Sequence, residues 1–329
     1  MGQTADITQA RPVRLLAAGG TISMQGEHAV PTLDAAGLVA AIPELVRFPQ
    51  LTAENVLGLP GPQISLEQGL QLVRQAVEAA SRGEGVVITT GTDTLEELAM
   101  LCALLHDGEP PIVFTGANRP ASAPGADGPA NLIDAVALAA APVAAGLGAL
   151  VVFGGEILAA TSARKVESTG PSAFAAPVAG PLGRVVEGRV WLHARPLRHP
   201  VLRPATISHD VPIVTAALGE GGGLLRAAAQ TAGGVVVEAF GAGHLTPGML
   251  QALRDVVSHV PVVVTVAPER GSMMRATYGF EGSERDVRSS GAVCAPFLSA
   301  RAARVALLCC LGAGLGRDAI AAALAPWDA

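Results

Sequence analysis

Four side chains that can support nucleophilic chemistry lie beyond short apolar runs of this sequence. Thr21 and Thr92 each follow a glycine turn, Asp93 is adjacent to Thr92, and Lys165 lies beyond a third apolar run. A threonine hydroxyl becomes a nucleophile when a base takes its proton, and a lysine that is desolvated or paired with a carboxylate can be that base. Together these residues indicate nucleophilic acyl transfer.

Gly20 and Gly91 precede the two threonines and have a predicted role of their own. Because glycine has no Cβ, its backbone can approach a ligand closely and direct N–H groups at it or at an oxyanion. We therefore expect both glycines to contact the substrate. Neither turn continues as the Gly-Lys-Ser/Thr or G-x-G-x-x-G pattern that would indicate phosphate binding.

Lys165 is the single lysine among 22 basic residues, and the other basic residues are arginine. Arginine stays protonated at all working pH values, whereas a buried lysine can lose its proton. A single lysine in an arginine-rich chain either occurs by chance or marks a position where the chemistry needs an amine that titrates.

Each of these residues also has an ordinary structural explanation. Thr21 fits a solvated hydroxyl in a glycine turn, and Thr92 or Asp93 could cap the helix that follows. Lys165 could be a surface lysine, which is the default for this residue type. Other hydrolytic machinery is not favoured, because the sequence has no G-x-S-x-G turn and no H-E-x-x-H pair.

Composition and charge restrict the partners. The formal charge of -6 and the absence of a basic patch argue against nucleic acid or an anionic membrane. No metal-ligand cluster is visible, so we expect no metal and no cofactor. The four cysteines are read as small buried hydrophobic residues, and without a visible secretory signal we expect a cytoplasmic protein.

Short apolar runs alternate with helical patterns in the first half of the chain. This alternation predicts an α/β fold with a doubly wound, mostly parallel sheet. The predicted strands are Val13–Ala18, Gly85–Thr89, Pro111–Thr115 and Leu150–Phe153, and the predicted helices are Leu66–Ala80, Leu95–Leu105 and Asn131–Ala140. In such sheets ligands bind beyond the carboxyl ends of the strands, where the four candidate residues are expected to meet.

The domain organisation follows from a change in composition. Residues 192–212 are polar, proline-rich and free of periodicity, which is typical of a linker. We therefore predict an N-terminal catalytic domain over 1–191 and a smaller α/β domain over 213–329. In the second domain, strands are expected at Ile213–Ala217, Gly234–Val237 and Val262–Val266, and helices at Gly221–Ala229, Pro247–His259 and Ser299–Cys310.

The segments that carry the candidate residues resemble the signatures of the bacterial-type L-asparaginases. Leu15–Ser23 resembles the first active-site signature of that family, and Val87–Glu97 resembles the second. Further similar segments are Thr115–Pro120, Asp127–Leu132 and Gly180–Gly183. The two signatures occur in the family's order and spacing, and the similarity extends along the whole chain.

The resemblance implies hydrolysis of a small carboxamide, with release of ammonia and with L-asparagine as the default substrate. By position, Thr21 would be the primary nucleophile. Thr92, Asp93 and Lys165 would form the second group, with Lys165 as the base, and Ala117 would contact the substrate amide through its backbone. The family also implies a homodimer or homotetramer, in which the neighbouring subunit's C-terminal domain completes each active site.

Three positions depart from the family pattern. The loop from Met24 to Leu33 has no tyrosine to activate Thr21, and His28 is a candidate replacement on chemistry alone. The loop that holds the substrate's α-carboxylate and amine reads Pro60–Ser65, in which Gln63 or Ser65 could take that role. An asparagine supplied by the neighbouring subunit falls at Ala242. The substrate could therefore be another small amide, lactam or imide, or the chain could be a non-catalytic amino-acid-binding homologue.

Overall fold

A computed structural model describes residues 10–25 and 30–328 of the chain. It divides into two compact units, Met1–Val201 and Leu202–Ala329. The N-terminal unit contains the strands β1 Val13–Gly19, β2 Met24–Gln25, β3 Val30–Pro31, β4 Leu51–Leu59, β5 Gly85–Thr89, β6 Ile112–Thr115, β7 Ala149–Phe153, β8 Glu156–Ala159, β9 Arg164–Lys165, β10 Phe174–Ala175, β11 Gly183–Val186 and β12 Arg189–Leu192. Its helices are α1 Ala35–Ala40, α2 Leu66–Ser81, α3 Leu95–Leu105 and α4 Gly128–Ala140.

The N-terminal unit is built on one large mixed sheet with the strand order β12-β11-β8-β7-β6-β5-β1-β4. The five strands from β4 to β7 in this order run parallel, and β8, β11 and β12 extend the sheet by antiparallel pairing. The predicted class, an α/β fold with a mostly parallel sheet, is confirmed. The antiparallel extension and the edge strand β4 were not predicted.

The central strands are buried on both faces because helices cover both. Leu15, Val87 and Val113 pack into one core with residues of α1 and α4. Since side chains alternate along a strand, Ile88 and Phe114 project to the opposite face, and α2 and α3 contact these strands. This double coverage explains why β5 and β6 are apolar runs without alternation.

The C-terminal unit has a smaller parallel sheet. Its strands are β13 Ile213–Thr215, β14 Val235–Ala239, β15 Val262–Val266 and β16 Val293–Cys294, in that order across the sheet. Its helices are α5 Gly223–Ala229, α6 Pro247–Val256, α7 Glu284–Arg288, α8 Ala300–Gly312 and α9 Arg317–Leu324. The prediction of a second, smaller α/β unit is confirmed, and β16, α7 and α9 are additions to it.

The segment predicted as a linker has no helix or strand after Leu192 and before Ile213. Its first part is nevertheless fixed to the N-terminal unit. Arg195 donates to the carbonyls of Val143 and Ala145, and Arg198 donates to that of Gly146. Within residues 10–25 and 30–328, helices of sufficient length and apolarity to cross a membrane are absent.

Candidate active site

Three glycines bring the chain turns of the candidate site into backbone contact. Gly20 has a φ of 85°, and a Cβ placed on it would lie 2.3 Å from the backbone nitrogen of Gly91. A Cβ on Gly91 would lie 2.8 Å from the nitrogen of Gly61. Real Cβ atoms do not approach backbone so closely, so only glycine fits at Gly20 and Gly91. The turns that carry Thr21 and Thr92 are therefore neighbours.

Thr21 follows β1 and is the first residue of a short 3₁₀ turn, Thr21–Ser23. The turn is closed by Ser23, whose buried hydroxyl donates to the Gly20 carbonyl at 2.8 Å. Thr21 itself is half-buried. A strand that ends in a glycine turn thus presents a hydroxyl at the carboxyl edge of the sheet.

Lys165 connects the second group of predicted residues. Its Nζ donates to Thr92 Oγ1 at 2.8 Å and to Asp93 Oδ1 at 2.9 Å. The lysine side chain is 17% exposed and that of Asp93 is 61% exposed, whereas Thr92 is 6% exposed. The bond to the threonine is therefore the more protected from water.

The contacts of Thr92, Asp93 and Lys165 differ from those expected of a helix cap or a surface lysine. The residue before α3 is Thr94, and no side-chain hydrogen bond caps this helix, so neither Thr92 nor Asp93 acts as its cap. Lys165 is not a surface lysine, because most of its side chain is buried and its backbone N–H donates to Glu96 Oε2 at 2.7 Å.

Lys165 reaches the site by a different route from the one predicted. The sequence predicts Lys165 directly after the strand that ends at Phe153, but β8 lies between them. Since β8 is antiparallel to β7, its end at Ala159 pairs with Leu150 at the opposite edge of the sheet. Residues 160–163 then return the chain, and the β9–β10 pair holds Lys165 opposite Phe174.

The predicted substrate-binding residues lie in the same unit. Gln63 is exposed at the end of the 3₁₀ turn Gly61–Gln63, and Ala117 is buried beyond β6. Ser65, the other candidate in that loop, is occupied as the N-cap of α2, in a reciprocal capping box with Gln68. Its hydroxyl therefore has a structural role.

Asn118, to which the sequence motifs assign no role, contacts the candidate site. Its Oδ1 accepts a hydrogen bond from Thr92 Oγ1 at 3.2 Å, and its Nδ2 donates to the Gly170 carbonyl at 2.8 Å. The signal for it was its position after β6, because β6 lies beside β5 in the sheet and both strands end at the same edge.

The sequence offered His28 as a candidate replacement for the missing loop tyrosine. His28 lies outside the described residues. The single tyrosine, Tyr278, belongs to the C-terminal unit, where its ring makes an edge contact with that of His244 at 4.8 Å. Ala242 lies in a turn of the same unit, and its carbonyl accepts from the Met274 N–H.

Comparison with known proteins gives family matches along nearly the whole chain. Residues 12–198 match the family described as asparaginase, N-terminal, and residues 210–324 match the glutaminase/asparaginase C-terminal domain. A protein of Deinococcus radiodurans named probable L-asparaginase is 34% identical over 93% of this chain and 94% of its own length. A Haemophilus influenzae protein named probable periplasmic L-asparaginase is 30% identical over 90% of this chain and 87% of its own length.

A solved structure shares the architecture as well. The crystal structure of a probable cytoplasmic L-asparaginase from Campylobacter jejuni matches with a TM-score of 0.84 and 26% sequence identity. The match covers 96% of this chain and 99% of that one. Sequence, fold and family matches agree over both units, and the chain therefore belongs to the asparaginase family of amidohydrolases.

Proposed function

We propose that this chain hydrolyses the side-chain amide of L-asparagine to L-aspartate and ammonia, with Thr21 as the nucleophile. The observation that carries the proposal is the pair of bonds from Lys165 Nζ to Thr92 Oγ1 and Asp93 Oδ1. An amine held between a hydroxyl and a carboxylate is suited to accept a proton from that hydroxyl or from an attacking water. Family membership supports the amide class, and the names of the relatives support asparagine.

In the first proposed half-reaction, Thr21 Oγ attacks the carboxamide carbon. The hydroxyl proton passes to the amide nitrogen, the C–N bond breaks, and ammonia leaves an ester on Thr21. The Gly20 N–H already donates to the Leu59 carbonyl at 3.2 Å, so other backbone N–H groups of the two contacting turns are proposed to stabilise the oxyanion.

In the second proposed half-reaction, water attacks the ester carbon and releases the acid and free Thr21. Thr92 orients or activates that water, and Lys165 is the base that takes the proton through the Thr92 hydroxyl. The proton then passes to the Thr21 oxygen as the ester C–O bond breaks. Asp93 holds the lysine amine by accepting one of its hydrogens. Gln63 and the backbone of Ala117 are proposed to hold the substrate's polar groups.

The proposal extends to assembly and location. A homodimer or homotetramer with each site near a subunit interface is supported by family membership. The cytoplasm is supported by the name of the Campylobacter jejuni relative.

Ammonia release from asparagine, glutamine and a panel of cyclic amides tests the proposal directly. We expect asparagine to be hydrolysed, and Thr21→Ala to lower kcat by about 1,000-fold or more because the attacking oxygen is lost. Thr21→Ser keeps that oxygen and is the matched control, with activity expected within about tenfold of the parent. Circular dichroism checks that both variants are folded.

Other outcomes would redirect the assignment. Faster turnover of a cyclic amide would keep the Thr21 chemistry and replace asparagine as the substrate. Binding of aspartate or asparagine without ammonia release would support the non-catalytic homologue. Full activity of Thr21→Ala would exclude Thr21 as the nucleophile.

A further inference from the structure

Asn118 bridges the threonine of the candidate site and the hairpin loop that follows the lysine. Its Nδ2 donates to the Gly170 carbonyl at 2.8 Å and, at 3.4 Å, to that of Ser168. Its Oδ1 lies 3.2 Å from Thr92 Oγ1. Ser168 and Gly170 belong to the loop between β9 and β10, which is closed by the pairing of Lys165 with Phe174. One amide therefore connects both sides of the Thr92–Lys165 contact.

The chemistry of these partners fixes the direction of each hydrogen bond. Carbonyl oxygens only accept, so the side of Asn118 that faces Gly170 and Ser168 must be its NH₂ group. The side that faces Thr92 is then the amide oxygen, which also only accepts. The single hydroxyl hydrogen of Thr92 must point at Asn118.

The direction at Lys165 follows from the direction at Thr92. Because the threonine hydrogen is used by Asn118, Thr92 Oγ1 can only accept from Lys165 Nζ, at 2.8 Å. A hydrogen bond from a charged ammonium is stronger than one from a neutral amine. A threonine restricted to accepting therefore favours the protonated lysine.

We infer that Asn118 is a positioning residue that holds the Thr92 hydroxyl as an acceptor toward Lys165 and so favours the protonated amine in the resting site. This inference deepens the proposed function and rests on the role given there to Thr92 and Lys165. Before Lys165 can take the Thr92 proton, that proton must leave the amide oxygen of Asn118. The Asn118 amide thus controls whether the Thr92 hydroxyl hydrogen is available to Lys165.

The carboxylates that contact Lys165 and the backbone of Asn118 can be left unchanged in a test of the Asn118 side chain. The Asp93 carboxylate accepts from Lys165 Nζ, and Glu96 accepts from the Lys165 backbone. Asp127 accepts from the backbone N–H groups of Asn118 and Arg119. Arg164 and Glu167 are close to Lys165 in sequence. Replacing Asn118 by an apolar residue alters none of these charges.

The single lysine makes a direct test possible. Labelling lysine with ¹³C at Cε gives one side-chain signal, since Lys165 is the only lysine. We expect Asn118→Leu to move the pH midpoint of this signal down by about 0.7, because Thr92 is then free to donate to the neutral amine. Asn118→Ala, which leaves more room in the loop, is expected to do the same. An unchanged midpoint in both folded variants would overturn the inference.

A double-mutant cycle separates positioning through Thr92 from simple support of the loop. In a Thr92→Val background the hydroxyl is gone, so adding Asn118→Leu should leave the lysine midpoint where Thr92→Val alone puts it. A full additional shift in that background would show that Asn118 acts by another route and would overturn the inference.

Asn131→Leu is the matched control for damage to the turn after β6, which carries Asn118. Asn131 donates to the Gly116 carbonyl and to Asp127 Oδ2 and accepts from the Gly154 N–H, and its side-chain hydrogen bonds within the described residues do not include Thr92. Asn131→Leu should lower the Tm while leaving the lysine midpoint unchanged. An equal midpoint shift in this control would mean that loosening the turn is sufficient, and would overturn the specific role of Asn118.

Steady-state kinetics on asparagine then distinguish this inference from the proposed function. With an active parent protein, Asn118→Leu should lower kcat by about tenfold, leave KM within about twofold, and move the acid limb of the kcat–pH profile down with the lysine signal. An acid limb of the kcat–pH profile that does not move would contradict the positioning role inferred for Asn118. An inactive parent protein with a shifted lysine signal would refute the proposed function alone.

Discussion

The amine of Lys165 has two acceptors in different surroundings. Asp93 is mostly exposed, so water and salt weaken its attraction for the ammonium, whereas Thr92 is almost fully buried. The buried bond to Thr92 therefore determines where the amine is held, and the bond to Asp93 contributes charge. A change at Lys165 is expected to affect chemistry more than folding.

Lys165→Met should lower kcat by about 100-fold to 10,000-fold, because the proposed general base is lost. Lys165→Arg is the informative partner variant, since it keeps the positive charge but cannot lose its proton. We expect it to be as inactive as Lys165→Met in an ammonia-release assay.

Arg226→Met, which breaks an exposed ion pair with Asp255 in the C-terminal unit, controls for the loss of any cation and should keep its activity. Near-parental turnover of Lys165→Arg would show that charge, and not proton transfer, is what the site requires.

Single residues were predictable where a strand end fixes their position. Thr92 is the third residue after β5, so the apolar run of that strand was sufficient to place it at the edge of the sheet. Lys165 was selected by its residue type, while its route through β8 depends on a hairpin that short apolar runs do not reveal. Asn118 was missed because its role depends on the direction of its amide, which only the positions of its partners determine.

At the scale of elements, the buried central strands were predictable and the outer ones were not. β5 and β6 are continuous apolar runs because helices cover both faces. β4 is largely exposed and carries Glu54 and Asn55, so it has no apolar run to detect. β8, β11 and β12 have four residues each, which is too short for alternation to stand out.

Two buried threonines of these strands give opposite expectations for the same substitution. Thr89 Oγ1 is buried and has no hydrogen-bond partner among the described residues, whereas Thr115 Oγ1 donates to the Val152 carbonyl at 2.8 Å. Thr89→Val should stabilise the protein by up to about 1 kcal/mol, because a desolvated hydroxyl is replaced by a methyl group of similar size. Thr115→Val should destabilise it by about 1 kcal/mol.

Urea unfolding of both threonine variants measures the difference. Each variant serves as the control for the other, since both remove one hydroxyl from a buried position of the same sheet. A loss of stability in Thr89→Val equal to that in Thr115→Val would mean that the Thr89 hydroxyl is hydrogen-bonded in solution.

At the scale of the whole molecule, small side chains build both cores. Aromatic residues are 3% of the chain, and each core is filled mainly with alanine, valine and leucine. All four cysteines are buried, as predicted, and burial raises the pKa of Cys294 and Cys310 to about 11. The division into an N-terminal and a C-terminal unit follows from composition, while the hydrogen bonds of Arg195 and Arg198 to the N-terminal unit could not be predicted from it.

The stability of the molecule should depend on pH through Asp134 of α4. Burial raises the pKa of this carboxyl to about 6, against a partial opposing effect of Arg47. The folded pKa is above the unfolded value, so the carboxylate destabilises the fold above pH 6, and this cost disappears as pH falls toward 4. Asp134→Asn should stabilise the protein by about 1 kcal/mol at pH 7.5, after allowance for partial exposure, and by much less at pH 4.5.

Thermal unfolding at the two pH values checks this expectation. Asp255→Asn is the contrasting control, because hydrogen bonds from Arg226 and Gln251 lower the pKa of Asp255, and its removal should not stabilise the protein at either pH. A gain for Asp134→Asn that is equal at pH 7.5 and pH 4.5 would rule out ionisation as its cause.

The contact between Gly20 and Gly91 limits how this fold can change its substrate range. Even a methyl group at either position would meet backbone atoms, so the spacing of the two hydroxyl-bearing turns cannot be tuned by exchanging side chains. Variation can instead enter at the proposed substrate-binding residue Gln63, which is exposed to solvent. Libraries that aim to alter selectivity in this protein should therefore diversify the positions around Gln63 and leave the paired turns intact.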